Sequence, residues 1–187
     1  MSQLIQGKRA GLIGLIFMLA AGMAFAQSNN ETDASGEPQV KIKDRHQDWT
    51  VRCKMASQQA FGSGDICEMY QQVDEQESQQ TVLEIVIGYP SEGEQPVALF
   101  FLPLGIRLPP GVELRVDENE PVRFPIQLCS RNGCRADIEL TSALVTQMRA
   151  GSEAVLVIAD PQGRGVGLPL SLQGFSAALD DVQSSIN

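Results

Sequence analysis

The stretch Trp49-Thr50-Val51-Arg52-Cys53-Lys54 decides the predicted fold, because apolar and polar residues alternate along it. Successive side chains of a β-strand point to opposite faces of a sheet, so Trp49, Val51 and Cys53 are predicted to face a core and the residues between them to face solvent. A turn at 62–64 separates this strand from a second one at 66–73, and the two form a predicted hairpin. The core is therefore expected to begin at Trp49.

Further predicted β-strands follow the hairpin. Residues 81–87 and 97–102 are apolar enough for buried central strands, and residues 112–116 alternate between apolar and polar. Residues 122–128 alternate as well, and Pro125, which lacks a backbone N–H, predicts an edge position for that strand. The remaining predicted strands are 134–140, 154–159 and 166–171.

Helical patterns are few. Residues 141–150 combine a Thr or Ser N-cap with apolar positions at helical spacing and with Gly151 as a C-cap. Residues 174–182 are a second candidate helix. Many short strands and few helices predict a mainly β, single-domain antiparallel β-sandwich or barrel-like fold with one or two short helices.

The N-terminus has the three-part layout of a secretory signal peptide. Lys8 and Arg9 precede an apolar run, and the small residues Ala24 and Ala26 fit a signal-peptidase cleft. An uncleaved membrane anchor is the alternative, but about fifteen apolar residues fall short of the ~20 needed to span hydrocarbon. The mature protein is therefore expected in the periplasm, on the outer membrane or outside the cell. The predicted segments are 1–26 as signal peptide, 27–43 as a flexible N-terminal tail, 44–183 as the β domain and 184–187 as a C-terminal tail.

The charge of the chain limits its partners. Cleavage after Ala26 removes Lys8 and Arg9 and no acidic residue, so the formal net charge changes from −9 to −11. Proteins that bind nucleic acid gain affinity from basic residues placed against phosphates, and an acidic mature chain argues against such a partner. The apolar run 97–106 is interrupted by Pro103 and Gly105, so no membrane span is predicted after the signal peptide.

All four cysteines, Cys53, Cys67, Cys129 and Cys134, follow the predicted cleavage site. An even number of cysteines in an oxidising compartment predicts two disulfides. Three pairings are possible, and we favour Cys53 with Cys67 and Cys129 with Cys134, because each pair flanks a glycine-containing turn between neighbouring strands. Redox chemistry is disfavoured, because the spacing of Cys129 and Cys134 is longer than that of a Cys-x-x-Cys motif.

The chain lacks the sequence signatures of common catalytic sites. His46 is its one histidine, so a Ser-His-Asp or Cys-His arrangement would depend on that residue alone, and a zinc site would lack ligands. We expect His46 to be solvated or capping, and the acidic loop 74–77 to be a solvated hairpin tip and not a calcium site. No catalytic residue, metal or cofactor is predicted. A hydrolase that uses two of the 23 carboxylates stays open as an alternative.

Several short motifs occur together in a fixed order. They are Asp48-Trp49-x-Val51-x-Cys53, Cys67-x-Met69, Leu102-Pro103-Leu104-Gly105, Pro110-Gly111-Val112-x-Leu114, Cys129-x4-Cys134-x-Ala136 and Ser171-Leu172-x-Gly174-Phe175-x-x-Ala178-Leu179. In this order and with this cysteine placement, the chain from Asp48 to Leu179 resembles the invasion-associated locus B family of bacterial exported proteins. The resemblance implies an envelope or surface protein, linked in pathogenic members to host-cell entry and without an established enzymatic activity.

We therefore expect a non-enzymatic binding or envelope protein whose loops engage a protein or cell-surface partner. Arg131 and Arg135, at the turn between Cys129 and Cys134, are the candidate partner-binding residues, because two cations on a fixed turn of an acidic protein would attract an acidic partner. A purely solubilising role at a sheet edge is the alternative for these arginines. The alternatives for the whole protein are a secreted hydrolase with a carboxylate pair and a general role in maintaining the periplasmic envelope.

Overall fold

The computed structural model describes residues 40–54, 66–90 and 95–186. The predicted signal peptide, residues 27–39 of the predicted tail and the predicted turn at 62–64 lie outside these residues. The described elements are β1 (Val40–His46), β2 (Trp49–Lys54), β3 (Ile66–Asp74), β4 (Thr81–Gly88), β5 (Val97–Leu102), β6 (Val112–Val116), β7 (Val122–Phe124), β8 (Ile126–Ser130), β9 (Gly133–Glu139), α1 (Ser142–Ala150), β10 (Glu153–Ala159), β11 (Gly165–Ser171) and α2 (Phe175–Ser184).

The strands form two antiparallel sheets that enclose one hydrophobic core. The first sheet has seven strands in the order β1-β2-β3-β4-β5-β9-β8, and the second has four in the order β11-β10-β6-β7. Both sheets are open, each with two edge strands. The predicted mainly β fold with two short helices is therefore confirmed, and it is a sandwich without a closed barrel.

The inner face of the seven-stranded sheet packs on the core. Trp49 is fully buried, as the alternation along β2 predicted. The helix α2 packs on β1, β2 and β3, where the ring centroids of Phe175 and Trp49 lie 5.5 Å apart in an edge-to-face arrangement. The four-stranded sheet contributes Phe124 of β7, whose ring centroid lies 5.3 Å from that of Phe100 on β5. The inner face is thus covered by a helix and by the second sheet.

A polar bridge joins the two sheets beside Trp49. The buried Gln71 of β3 donates from Nε2 to the Ser171 carbonyl oxygen at 3.0 Å and accepts at Oε1 from the Ser171 N–H at 2.9 Å. The Trp49 indole Nε1 donates to the same carbonyl oxygen at 3.0 Å. Buried polar groups need hydrogen-bond partners, and in this bridge Gln71 and Trp49 find theirs at Ser171. The bridge therefore connects the end of β11 to β2 and β3.

The run 122–128 is not the single strand that its alternation predicted. Residues of β7 pair with β6 in the four-stranded sheet, whereas β8 pairs with β9 in the seven-stranded sheet. Pro125 lies between the two strands, where its missing N–H and fixed φ suit a chain that leaves one sheet for the other. Both strands are edge strands, which is the position that Pro125 predicted.

The observed ends of two elements also differ from the predicted boundaries. The strand β1 begins at Val40, so residues 40–43 of the predicted tail are strand and pair antiparallel with β2. Almost every side chain of β1 is exposed, and this edge strand therefore lacks the hydrophobic period that would have revealed it. At the other end of the domain, α2 extends to Ser184, the first residue of the predicted C-terminal tail.

The two helices begin close to their predicted positions. The Thr141 side chain accepts a hydrogen bond from the Leu144 N–H and so caps α1, and the Gly151 N–H donates to the Gln147 carbonyl oxygen at its end. Gly174 precedes α2 with a φ of 85°. In the described part of the chain, we find no helix with the length and apolar character that a bilayer span requires.

Both predicted disulfides are present. Cys53 on β2 lies directly opposite Cys67 on β3, with 4.0 Å between their Cα atoms. Cys129 and Cys134 close the turn between β8 and β9, also with 4.0 Å between their Cα atoms. All four cysteines are therefore oxidised and none is a free thiol, which is the usual state in an oxidising compartment.

Candidate functional site

The candidate functional site is the outer face, which we define as the side of the seven-stranded sheet that points away from the core. Antiparallel pairing places side chains of neighbouring strands in rows across this face. One row contains Tyr70, Val86, Leu99 and Asp137. The next contains Glu84, Phe101, Arg135 and Leu128. The outer face thus mixes apolar and charged side chains, in contrast to the apolar inner face.

One half of the outer face is organised by an arginine. The Arg52 Nε donates to Glu68 Oε1 at 2.7 Å, and its Nη2 lies 3.4 Å from Glu84 Oε1. The guanidinium carbon also lies 4.3 Å from the centroid of the Tyr70 ring. Two carboxylates and an aromatic ring therefore hold this one cation, which leaves it little freedom to bind a partner.

A shallow concavity of about 300 Å³ lies between this arginine and the neighbouring strands. Its floor includes Val86, which is only 4% exposed although it points away from the core. Phe101 forms one wall and keeps 43% of its surface exposed. The lining residues are Arg52, Lys54, Glu68, Glu84, Val86, Leu99 and Phe101. The concavity offers an apolar floor inside a charged rim.

The structure separates the two arginines that the sequence placed on one turn. Arg131 lies in the turn between β8 and β9, is exposed, and forms no ion pair with any described residue. Arg135 lies within β9, between Phe101 and Leu128 in the row across the outer face. Its Nε is 3.4 Å from Asp137 Oδ1, yet both atoms are buried without a hydrogen-bond partner. Arg135 is therefore held only by this long ion pair, and 41% of its side chain remains exposed.

One apolar residue of this surface, Leu128, could not be foreseen from the sequence pattern. Leu128 was grouped with Ile126 by simple alternation, but the register of β8 shifts between these two residues. The shift turns Leu128 to the outer face, where it is 49% exposed, whereas Ile126 packs against the core. Phe101 follows the fully buried Phe100. Adjacent residues of one strand are expected to face opposite sides of the sheet, and Phe101 accordingly faces outward.

His46 belongs to an ion-pair network between β1 and α2. Its Nε2 lies 3.2 Å from Asp181 Oδ2 and 4.0 Å from Asp44 Oδ2. These three side chains offer ligand atoms within 4.8 Å of one another, but the Lys43 ammonium already lies 2.6 Å from Asp181 Oδ1. The lysine supplies the positive charge that a metal would bring. We therefore interpret the cluster as a link that holds the edge strand to the helix, which differs from the predicted solvated or capping role of His46.

The carboxyl groups with perturbed pKa values are held as anions. Burial raises the pKa of Asp181, but hydrogen bonds and charges from Lys43 and His46 outweigh it, so the net shift is downward. The pKa of Glu113 is lowered by hydrogen bonds from Arg123 and Arg115, and that of Asp160 by the backbone N–H and side chain of Arg164. A general acid needs the opposite shift, so these groups do not support a carboxylate-pair hydrolase.

The fold and sequence are similar to those of proteins named for invasion. The chain is 27% identical over 144 residues to an invasion protein B homologue of Brucella abortus strain 2308, covering 76% of this chain and 80% of the relative. A second homologue, from Brucella abortus biovar 1 strain 9-941, has the same identity and coverage. The crystal structure of invasion associated protein B from Bartonella henselae matches with a TM-score of 0.65 and 23% identity, over 77% of this chain and 96% of that one. That structure supports the fold.

A family model described as "Invasion associated locus B (IalB) protein" matches residues 49–183. The matched segment extends from the first inner-face residue of β2 to the last turn of α2. It includes both disulfides, the outer face from β2 to β8 and the polar bridge between the sheets. The chain therefore belongs to the invasion-associated locus B family.

Proposed function

We propose that this protein is a non-enzymatic, exported binding protein of the bacterial envelope whose outer face engages a protein or cell-surface partner. The observation that carries the proposal is the row formed by Phe101, Arg135 and Leu128, on the strands that lead to the turn of the exposed Arg131. Aromatic and arginine side chains supply most of the energy at protein interfaces. The row combines both kinds of side chain on a rigid sheet.

Charge favours an acidic partner for this part of the outer face. Arg131 has no counter-ion among the described residues, and Arg135 is only loosely paired with Asp137. The formal net charge of the chain is −9, so a local cationic site would orient an acidic partner and disfavour other approaches. Phe101 and Leu128 would then bury apolar surface once the partner is in place.

Export is supported by the predicted signal peptide and by the two disulfides. Cleavage after Ala26 would release a soluble mature chain that begins at Gln27, in the periplasm, on the outer membrane or outside the cell. The relatives are named invasion proteins, and contact with a host cell is the specific form of the proposal. A general role in the envelope is the alternative. N-terminal sequencing of the protein from its native host is expected to begin at Gln27, and an intact leader on the folded protein would contradict export by this route.

The proposal is tested by crosslinking capture from envelope and host-cell surface fractions. The double variant Arg131→Ala with Arg135→Ala should capture much less partner than the wild type, and its remaining capture should depend less on salt. Arg149→Ala is the matched control, because Arg149 pairs with Asp180 at 2.6 Å between the two helices, away from the outer face. Equal capture by the wild type and the double variant would place the binding surface elsewhere.

A further inference from the structure

A second concave surface lies on the solvent-facing side of the four-stranded sheet. It has a volume of about 380 Å³, which is within the range of small-ligand sites. We call it the trough. Its lining includes Pro110, Gly111, Glu113, Arg123, Val157 and Gly165. The trough shares no residue with the outer face described above.

Glycines shape the trough. Gly111 has a φ of 69°, and a Cβ there would lie 2.5 Å from the Phe124 carbonyl oxygen, so only glycine lets this segment lie against β7. Gly163 has a φ of 85° in the turn before β11. At Gly165 a Cβ would lie 3.3 Å from Val157 Cγ1. The missing side chains leave Val157 as an apolar floor that a ligand can reach.

Glu113 and Arg123 form one wall of the trough, and Arg115 is bonded to Glu113 next to that wall. Glu113, opposite Val157 in the sheet, is 16% exposed and accepts hydrogen bonds from Arg115 Nη2 at 2.8 Å and from Arg123 Nε at 2.9 Å. The Arg115 and Arg123 side chains are 50% and 75% exposed. A guanidinium has more N–H donors than these contacts use. Glu113 therefore orients the Arg115 and Arg123 guanidinium groups and neutralises one of their two positive charges. The N–H donors that do not bond to Glu113 are accessible from solvent, because both side chains are largely exposed.

A third arginine adds positive charge at the end of β10. The Arg107 N–H donates to the Ala159 carbonyl oxygen at 2.9 Å, and its side chain lies beside Gly163, where a Cβ would be 3.1 Å from Nη1. Arg107 forms no ion pair with the residues that the structure describes. With Glu113 as counter-ion, Arg107, Arg115 and Arg123 leave two uncompensated positive charges around the trough. The net charge of the whole chain is −9, whereas the local charge around the trough is positive.

We propose that the trough binds a sugar that carries a carboxylate or a phosphate group. Exposed guanidinium donors on a preoriented arginine match either anion. The floor of Val157, Pro110 and glycine is aliphatic, so it can contact the C–H groups of a sugar ring. The lining contains no aromatic side chain on which a nucleobase would stack, so a nucleotide is a poorer fit.

The proposal is tested by isothermal titration calorimetry on the intact disulfide-bonded protein. The probes are trigalacturonate as the carboxylated sugar, glucose 6-phosphate as the phosphorylated sugar and maltotriose as the neutral one. At least one anionic probe should bind, about tenfold or more tightly than maltotriose, and its affinity should fall as NaCl is raised. The anionic probe that binds more tightly identifies the anion. Failure of both anionic probes to bind at millimolar concentration, or equal binding of maltotriose, would overturn the proposal.

Two variants locate the binding. Arg123→Gln removes the most exposed guanidinium of the wall and should weaken binding of the anionic sugar by about tenfold. Gly165→Ala keeps every charge but narrows the trough above Val157, and it should weaken binding as well. Arg149→Gln, in the helix pair, is the control and should bind as the wild type does. Circular dichroism and the thermal midpoint establish that each variant is folded. Undiminished binding by both folded trough variants would show that the anion binds elsewhere.

Discussion

The two faces of the seven-stranded sheet have opposite properties, and the adjacent residues Phe100 and Phe101 show the difference most clearly. Phe100 is fully buried and packs on Phe124, whereas Phe101 is 43% exposed. The inner face is apolar, and its buried Gln71 is fully hydrogen-bonded. The outer face mixes ion pairs with exposed apolar groups. Folding therefore depends on the inner face, and the outer face is available for binding.

The largest expected effect comes from removing the main aromatic residue of the inner face. Trp49→Ala should lower the free energy of unfolding by about 3–5 kcal/mol, because it leaves a cavity. It also removes the ring contact with Phe175 and the hydrogen bond to the Ser171 carbonyl oxygen. Urea denaturation checks this value. Tyr70→Ala is the outer-face control, and its loss of the contact with Arg52 should cost only about 1 kcal/mol. An equal decrease in the free energy of unfolding for Trp49→Ala and Tyr70→Ala would contradict the distinction between the inner and the outer face.

A smaller loss of stability is expected when Asp181 is neutralised, because Asp181 links α2 to Lys43 and His46 of β1. The pKa of Asp181 is lowered in the folded protein, so its stabilising effect is complete above the ordinary value of 3.8 and is lost as pH falls through the folded pKa. Wild-type stability should therefore decrease as the pH falls below about 4. Asp181→Asn should be less stable at pH 7 and should lose less stability over the acidic range. If the free energy of unfolding decreased equally with falling pH in the wild type and in Asp181→Asn, this role of Asp181 would be contradicted.

The smallest effect on stability is expected from the arginines of the outer face. Arg131→Ala combined with Arg135→Ala should change the free energy of unfolding by no more than about 1 kcal/mol, since Arg131 is exposed and Arg135 is held by one long ion pair. Removing Arg135 takes away the cation that lies 3.4 Å from the buried Asp137 Oδ1, so most of this change is expected from position 135. The thermal midpoint measures this change. A large decrease would mean that the arginines stabilise the sheet edge and are not reserved for a partner.

Much of the inner face could be predicted from alternation and cysteine placement. The alternation along β2, the buried strands at 81–87 and 97–102, and the two disulfides all depend on local patterns that a sequence displays directly. The division of 122–128 between two sheets could not be predicted in this way. Alternation reports only which residues share a face, and it does not report which sheet a strand joins.

The outer face was harder to predict for two physical reasons. A register shift between Ile126 and Leu128 reverses the orientation of Leu128 without any change in the sequence pattern. The neighbours of Arg135 come from β5 and β8, so its position beside Phe101 depends on long-range pairing. The trough could not be foreseen either, because its arginines are separated in sequence and meet only through the pairing of β6 with β7 and β10.

The most direct test of the division between the faces compares Phe100→Ala with Phe101→Ala. Both variants remove the same ring from neighbouring positions of β5, and each is measured by urea denaturation and by crosslinking capture of the envelope or cell-surface partner. Phe100→Ala should lower the free energy of unfolding by about 3–5 kcal/mol, and its folded fraction should still capture the partner. Phe101→Ala should change stability by less than about 1 kcal/mol and should lose most of the capture. Comparable destabilisation by the two variants, or full capture by Phe101→Ala, would contradict the account.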